Sequence, residues 1–145
     1  MTLSTGELAG RVDVNIETVR YYERRGLMPE PPRSGAGYRQ YTRQHLRRLH
    51  FIRRAQALGF TLDEIETLLS LRAEPNAPNA EVKRQAKEKL DETRRRIRDL
   101  ENIRDTLEEL YAACDGEGTT SDCPILEAIE LPGEGALGES DGAFP

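Results

Sequence analysis

The sequence is poor in the residues that build a large core. It has no tryptophan and only three phenylalanines, and 37% of its 145 residues are apolar against 32% charged. We therefore expect a small globular unit joined to a largely solvated helix that needs a partner chain. No run of about 18 apolar residues is present, which argues against a membrane-spanning helix. The first ten residues lack the apolar segment of a signal peptide, so we expect a cytoplasmic protein with no membrane association.

Residues suited to catalysis are also scarce. The only two histidines, His45 and His50, fall within one predicted helix that has the pattern of a structural element. No glycine-rich phosphate loop is present, and no nucleophile can be paired with a base from the sequence. Glu64 and Glu66 are better explained by helix capping and solvation than by acid–base chemistry. We therefore predict that the chain is not an enzyme.

The net charge of −5 conceals a strong asymmetry along the chain. Residues 1–60 contain eleven arginines against five acidic residues, whereas residues 114–145 contain eight acidic residues and no basic one. A basic first half joined to an acidic end is common in nucleic-acid-binding proteins. The alternative is that the basic surface is merely solvated.

Local signals predict a mainly α-helical chain that begins with a helix-turn-helix. Ser4 and Asn15 are good N-cap residues for two short helices, and Gly26 is a natural stop for the second. The prolines and glycines that follow prevent a helix, and a short strand over residues 38–41 predicts a small β-hairpin wing. Two connector helices come next, capped by Thr42 and Thr61.

A long helix is predicted to begin after an N-cap at Asn79 and to run to about Cys114. Positions that alternate by four and three form a heptad seam: Ala86, Leu90, Thr93, Ile97, Leu100, Arg104, Leu107 and Tyr111. About 33 residues span roughly 50 Å, and such a helix with one narrow apolar stripe is marginal by itself. Pairing with a second copy, which would make a homodimer, is the favoured interpretation. Packing along its own N-terminal region is the alternative.

Side chains suited to DNA contact concentrate on the second helix and the wing. Arginine can reach guanine edges or phosphates, and tyrosine can donate a hydrogen bond to phosphate oxygens. The candidates are Thr18, Arg20, Tyr21 and Arg24 on the helix and Arg33, Tyr38, Arg39 and Tyr41 on the wing. The alternative is that the arginines are solvated and the tyrosines fill the core, and for Tyr22 we favour the core.

The segments ETVRYYERRGL, GYRQY and ALGFTLDEI in combination resemble the MerR family of transcription regulators. The match covers roughly residues 4–130. It implies a winged helix-turn-helix domain, connector helices and a long antiparallel coiled-coil dimerisation helix. It also implies a homodimeric activator that binds an inverted repeat in double-stranded promoter DNA. By this resemblance the dimer remodels a promoter whose elements are spaced too far apart for RNA polymerase.

The resemblance extends to a metal-binding loop. In metal-sensing members a loop with two cysteines follows the long helix, as Cys114 and Cys123 do here, and CPILEAIE continues in the same way. Members that sense zinc, cadmium, lead or mercury carry a third cysteine where this chain has Asn79. In this segment the chain most resembles copper-efflux regulators of the CueR type. Two thiolates without a third soft donor suit linear Cu(I) or Ag(I), whereas Zn²⁺ wants four ligands.

Three alternatives to a copper site remain open. The eight residues between the cysteines are commoner in the divalent and mercury sensors of the family than in its copper sensors, which usually have seven. Hg(II) also accepts two thiolates, and Asp115 or Asp122 would complete a divalent site. A regulator or interaction module with redox-active cysteines and no metal is the third alternative.

These features divide the chain into four predicted segments. Residues 1–72 form the DNA-binding and connector region, and residues 73–113 form the linker and dimerisation helix. Residues 114–131 form the metal-binding loop and a short helix, and residues 132–145 form an acidic tail that we predict to be disordered.

Overall fold

The computed structural model describes residues 2–131. Within this range the chain forms six α-helices and one 3₁₀ turn, at Thr120–Asp122. The helices are α1 (Thr5–Val12), α2 (Ile16–Arg25), α3 (Arg43–Ala57), α4 (Leu62–Ala73), α5 (Asn79–Ala112) and α6 (Pro124–Glu130). The predicted mainly α-helical fold is confirmed. None of these helices is long and apolar enough to cross a membrane.

The described residues divide into two compact units, one up to residue 85 and one from residue 86 onward. The predicted division into four segments stays a prediction. The tail at residues 132–145, predicted to be disordered, lies outside the described residues.

Side-chain caps set the starts of the helices in the first unit, as predicted. The Ser4 hydroxyl accepts a hydrogen bond from the Glu7 amide at 3.1 Å, and Glu7 Oε1 accepts one from the Ser4 amide at 3.0 Å. Asn15 Oδ1 accepts a bond from the Thr18 amide at 2.8 Å at the start of α2. Gly26 ends α2 with a φ of 84°, a left-handed conformation that an L side chain would strain. The contacts of Asn15 and Gly26 therefore mark the two ends of α2.

The core of the first unit lies where α1, α2, α3 and α4 meet. Its fully buried side chains include Leu8, Val19, Leu27, Leu49, Ile52 and Ile65. Tyr22 is 3% exposed, and its hydroxyl donates a hydrogen bond to Gln56 Oε1 at 2.9 Å. The prediction that Tyr22 belongs to the core is confirmed.

The wing is a hairpin held by isolated bridges, and the predicted strand over residues 38–41 does not form as a regular strand. Arg33 pairs with Arg39, and Leu3 pairs with Tyr41, in antiparallel bridges. Backbone bonds close the hairpin, among them Ser34 N–H to the Tyr38 carbonyl at 2.7 Å. Prolines, which lack an N–H, precede the hairpin, so a continuous ladder cannot extend in that direction.

The long helix α5 starts at Asn79, so Asn79 is its first residue and not its N-cap. Within a single chain the apolar side chains of the predicted seam are exposed: Leu90, Ile97, Leu100, Leu107 and Tyr111. Near the C-terminal end of α5, an open groove of about 460 Å³ is lined by the apolar side chains of Leu100, Ile103, Leu107 and Tyr111. Arg104, also assigned to the seam, forms ion pairs with Asp105 and Glu108 at the side of this groove.

Candidate DNA-binding surface and metal loop

The outer surface of α2 presents the predicted helix residues together. Arg20 is paired with Glu17 at 3.0 Å, and Tyr21 is 43% exposed. The guanidinium of Arg24 lies 5.9 Å from the centre of the Tyr21 ring. Thr18 donates a hydrogen bond from its hydroxyl to Asn15 Oδ1 at 2.9 Å, which holds it at the first turn of α2. Arginine, tyrosine and threonine are thus displayed along about two turns of helix.

An open groove of about 500 Å³ runs beside this surface. Its lining includes Thr18, Tyr21 and Arg24 from α2, Arg53 and Gln56 from α3, and Leu62 from α4. The two α3 residues are not among the DNA contacts predicted from the sequence. Their spacing of three, which places them on one side of the helix, is a signal that could have found them.

Two of the predicted wing residues lie at its exposed tip. Tyr38 is 75% exposed. Arg33 donates a hydrogen bond from Nη1 to the Gly37 carbonyl at 2.9 Å, and Gly37 has a φ of 90°. Arg33 therefore braces the turn that presents Tyr38.

The other two wing residues face inward, toward Glu23 of α2. Tyr41 is fully buried, and its hydroxyl donates a hydrogen bond to Glu23 Oε1. Burial, and secondarily the carboxylate of Glu23, raise the pKa of Tyr41 to about 12. The hydrogen bond from Tyr41 to Glu23 holds the wing against α2. Because the side chain of Tyr41 cannot reach solvent, we leave it out of the proposed DNA contacts.

Arg39 shares the same carboxylate. Its Nε lies 3.4 Å from Glu23 Oε2, without the alignment of a hydrogen bond, and the side chains of Arg39 and Glu23 are 26% and 8% exposed. Glu23 therefore ties the wing to α2 through two partners that lie 16 and 18 positions further along the chain. Arg39 mainly links the wing to α2, and only the exposed part of its side chain is open to DNA.

A histidine completes this junction between the wing and α3. His45 Nδ1 accepts a hydrogen bond from the Thr42 amide at 3.1 Å, which caps α3. The ring of His45 also packs edge-on against Tyr41, with 5.4 Å between ring centres. Burial lowers the pKa of His45, so the fold favours the neutral ring that this cap requires.

The two cysteines stand at the two ends of the loop between α5 and α6. They form no disulfide bond, and both are partly buried. Cys114 Sγ accepts a hydrogen bond from the Gly116 amide at 3.3 Å, and Cys123 is the residue directly before α6. Gly116 and Gly118 have φ values of 82° and 84°, so the loop makes two bends that favour glycine.

The loop between the cysteines also contains the acidic residues Asp115, Glu117 and Asp122. Asp115 Oδ1 accepts a hydrogen bond from the Glu117 amide at 2.9 Å, so one oxygen of this carboxylate already bonds to the backbone of the loop. Within residues 2–131, no group of three or more histidine, cysteine, aspartate or glutamate side chains is arranged to hold a metal ion. Cys114 and Cys123 are the two soft donors in this loop, and two sulfur atoms suit a soft ion of low coordination number.

Comparison with known proteins identifies the family. The family model "MerR HTH family regulatory protein" matches residues 3–71, and the model "MerR, DNA binding" matches residues 46–110. A mercuric resistance operon regulatory protein of Bacillus cereus is 43% identical over 129 residues, which is 89% of this chain and 98% of that protein. The chain belongs to the MerR family.

Other MerR-family proteins are similar over nearly the same span. CueR of Vibrio cholerae is 38% identical over 128 residues, covering 88% of this chain and 91% of that protein. The solved structure of PbrR691 from Ralstonia metallidurans CH34 in complex with lead(II) has a TM-score of 0.76 and 38% identity. That of MerR from Bacillus megaterium MB1 in complex with mercury(II) has a TM-score of 0.67 and 38% identity. Each structural match covers 88% of this chain and 98% of the other.

Membership of the MerR family makes this chain a DNA-binding transcription regulator, and the prediction that it is not an enzyme is confirmed. The predicted similarity to CueR is present, but identity to the mercuric regulator is at least as high. Overall similarity therefore does not separate copper from mercury for this chain.

Proposed function

We propose that this chain is a metal-responsive transcriptional activator of the MerR family that works as a homodimer in the cytoplasm. The dimer binds an inverted repeat in double-stranded promoter DNA, which RNA polymerase uses as well. It senses a soft metal ion, with Cu(I) or Ag(I) as the first choice, through Cys114 and Cys123. The observation that carries this proposal is the donor set, two thiols at the ends of one loop.

The DNA contacts of this proposal come from α2 and the tip of the wing. Thr18, Arg20, Tyr21 and Arg24 would enter the major groove, and Arg33 and Tyr38 would lie against the neighbouring backbone. Arg39 would contribute through the part of its guanidinium that Glu23 leaves open. Two copies of the domain would then occupy half-sites about one helical turn apart.

The exposed apolar side chains of α5 support the homodimer. Leu100, Leu107 and Tyr111 are between 52% and 82% exposed in a single chain, and they recur at the spacing of a coiled-coil seam. An antiparallel copy of α5 would cover them with side chains from the seam of the partner helix. Such a pairing would also bring two metal loops to the ends of one coiled coil.

Two thiolates are sufficient ligands for a monovalent d¹⁰ ion. Cu(I) and Ag(I) prefer soft sulfur donors, and a linear arrangement needs only two. Asn79 stands where the divalent sensors carry a third cysteine, so this chain lacks that sulfur. The thiols must lose their protons to bind, so we expect metal affinity to rise with pH.

Mercury is the second candidate, and two of the comparisons support it. The 43% identical relative is a mercuric regulator, and a structure with a TM-score of 0.67 contains mercury(II). Hg(II) is also a soft ion that two thiolates can hold. The lead(II) complex of PbrR691 supports a divalent ion in general, for which Asp115 or Asp122 would have to supply oxygen.

Metal binding would act on promoter DNA through α6. A Cu(I) or Ag(I) ion would offset one of the two thiolate charges in a stretch, residues 114–131, that contains five acidic residues and no basic one. Closing the loop would move α6, which starts directly after Cys123 and exposes Leu126 and Ile129. Burying these side chains against α5 would favour one arrangement of the dimer, as a switch requires. The changed dimer would then bend and untwist the promoter.

An oxygen-free titration with Cu(I) and Hg(II) tests the proposal. We expect one ion per chain, lost in both Cys114→Ser and Cys123→Ser, with dimerisation and DNA binding kept. Asp122→Asn is the matched control, because a two-sulfur site does not need that carboxylate. Dependence on Asp122 would indicate a divalent site instead. Transcriptional activation that depends on thiol oxidation and does not depend on metal would favour the redox alternative.

A further inference from the structure

Arg53 is the one strongly basic side chain of α3 that faces the same groove as the recognition residues of α2. The groove of about 500 Å³ brings Arg53 together with Thr18, Tyr21 and Arg24, although these residues lie about 30 positions away in the sequence. Arg53 is exposed, so its charge is open to a ligand. The acidic side chain in this lining, Glu17, is already paired with Arg20 at 3.0 Å.

The position of Arg53 is set by a chain of hydrogen bonds from the core. The hydroxyl of buried Tyr22 donates to Gln56 Oε1 at 2.9 Å, and Arg53 Nη1 donates to the same oxygen at 3.3 Å. Tyr22 belongs to α2, whereas Gln56 and Arg53 belong to α3. The bond network therefore fixes Arg53 relative to the recognition helix and leaves the rest of its guanidinium free to donate elsewhere.

The geometry points to Arg53 as a DNA-backbone contact: we propose that it binds a phosphate at the edge of the major groove that α2 enters. This inference rests on the proposed DNA binding through α2. Side chains of α2 face the base edges, and an element packed beside α2 meets the wall of the groove, where the phosphates lie. Arg53 would hold that phosphate from α3, beside the α2 side chains that face the bases. A phosphate contact fixes register and adds affinity without reading sequence.

Arg54 provides a matched control, because it is also an exposed arginine, next in sequence, and it does not line the groove. Arg53→Gln and Arg54→Gln remove the same charge from the same helix. The full-length protein would first select its own binding site from a randomised duplex library. Binding to that duplex would then be measured by fluorescence anisotropy over a series of salt concentrations, with helicity checked by circular dichroism.

We expect Arg53→Gln to weaken binding to the selected duplex and to a scrambled duplex by a similar factor. A dimer would lose two phosphate contacts, so the slope of log K against log salt should become shallower by about 1.8. Arg53→Lys should keep most of the affinity, because a phosphate accepts a point charge. Arg54→Gln should leave the slope nearly unchanged.

Equal effects of Arg53→Gln and Arg54→Gln would overturn the proposal, because they would indicate a general charge effect. A loss confined to the selected duplex, with no rescue by lysine, would also overturn it, since that pattern indicates base readout. If the wild-type protein selects no duplex at all, the proposed function fails as well. The two failures are therefore distinguishable.

Discussion

Replacing Glu23 by glutamine is predicted to loosen the attachment of the wing to α2. Glu23 is 8% exposed in its side chain, faces Arg39 at 3.4 Å and accepts a hydrogen bond from Tyr41. The glutamine keeps the size of the side chain and an acceptor for Tyr41, but it removes the charge. The predicted effect is thus electrostatic and creates no cavity.

The magnitude follows from the two contacts. At 3.4 Å and an effective dielectric constant of about 20, the gross attraction is about 5 kcal/mol. Most of this is offset by the cost of removing Glu23 from water. The hydrogen bond from Tyr41 loses about 1 kcal/mol when its acceptor becomes neutral. We expect a net loss of about 2 kcal/mol in the free energy of unfolding.

Urea unfolding followed by circular dichroism, at one fixed protein concentration, would measure this loss. Glu17→Gln is the control, because it makes the same change on the same helix. The Glu17 side chain is 71% exposed and pairs with Arg20 at a spacing of three, so we expect a loss of at most about 0.5 kcal/mol. Equal losses in the two variants would refute the reasoning, because burial would then have no effect.

Three further predictions concern the α3 cap, the wing tip and the long helix. His45→Gln should remove a pH dependence of stability. The pKa of His45 is lowered by burial below its usual 6.5, so the unfolded chain takes up the proton first and stability falls as pH drops below about 6.5. Urea unfolding at several pH values measures this dependence. The prediction is wrong if His45→Gln keeps the pH dependence of the wild type, or if His50→Gln removes it equally. Tyr38→Phe should weaken binding to the selected duplex about three- to tenfold by removing one hydroxyl, with the unfolding free energy unchanged; unaltered affinity would exclude a hydroxyl contact. Leu107→Lys should shift the protein toward monomer in analytical sedimentation, because it places a charge in the α5 groove. Glu109→Lys should not have this effect. If both variants remain dimers, the α5 seam is not the dimer interface.

The starts of the helices were predictable because each cap depends on residues three positions apart. Ser4, Asn15 and Thr61 each bond to the backbone of their own first turn, so the local sequence contains the whole signal. The same holds for Gly26, whose positive φ is a property of one residue. Tyr22 was also predictable, because helical spacing placed it on the apolar side.

The contacts between distant elements were not predictable in this way. The sequence places Tyr41 in the wing but gives no sign that Glu23, 18 positions earlier, draws it inward. Arg53 has the local pattern of a solvated helix position, and only the packing of α3 on α2 brings it to the groove. The wing also lacks the regular strand that its tyrosines suggested, because prolines and glycines limit its backbone bonds.

X-ray absorption on the metal-loaded protein, prepared without oxygen, tests the central claim most directly. The claim is that Cys114 and Cys123 of one chain together hold a soft ion. After loading with Cu(I), the account predicts two sulfur neighbours in line and no nitrogen or oxygen scatterer. Added oxygen or nitrogen neighbours, or no retained metal while both thiols remain intact by titration, would contradict it.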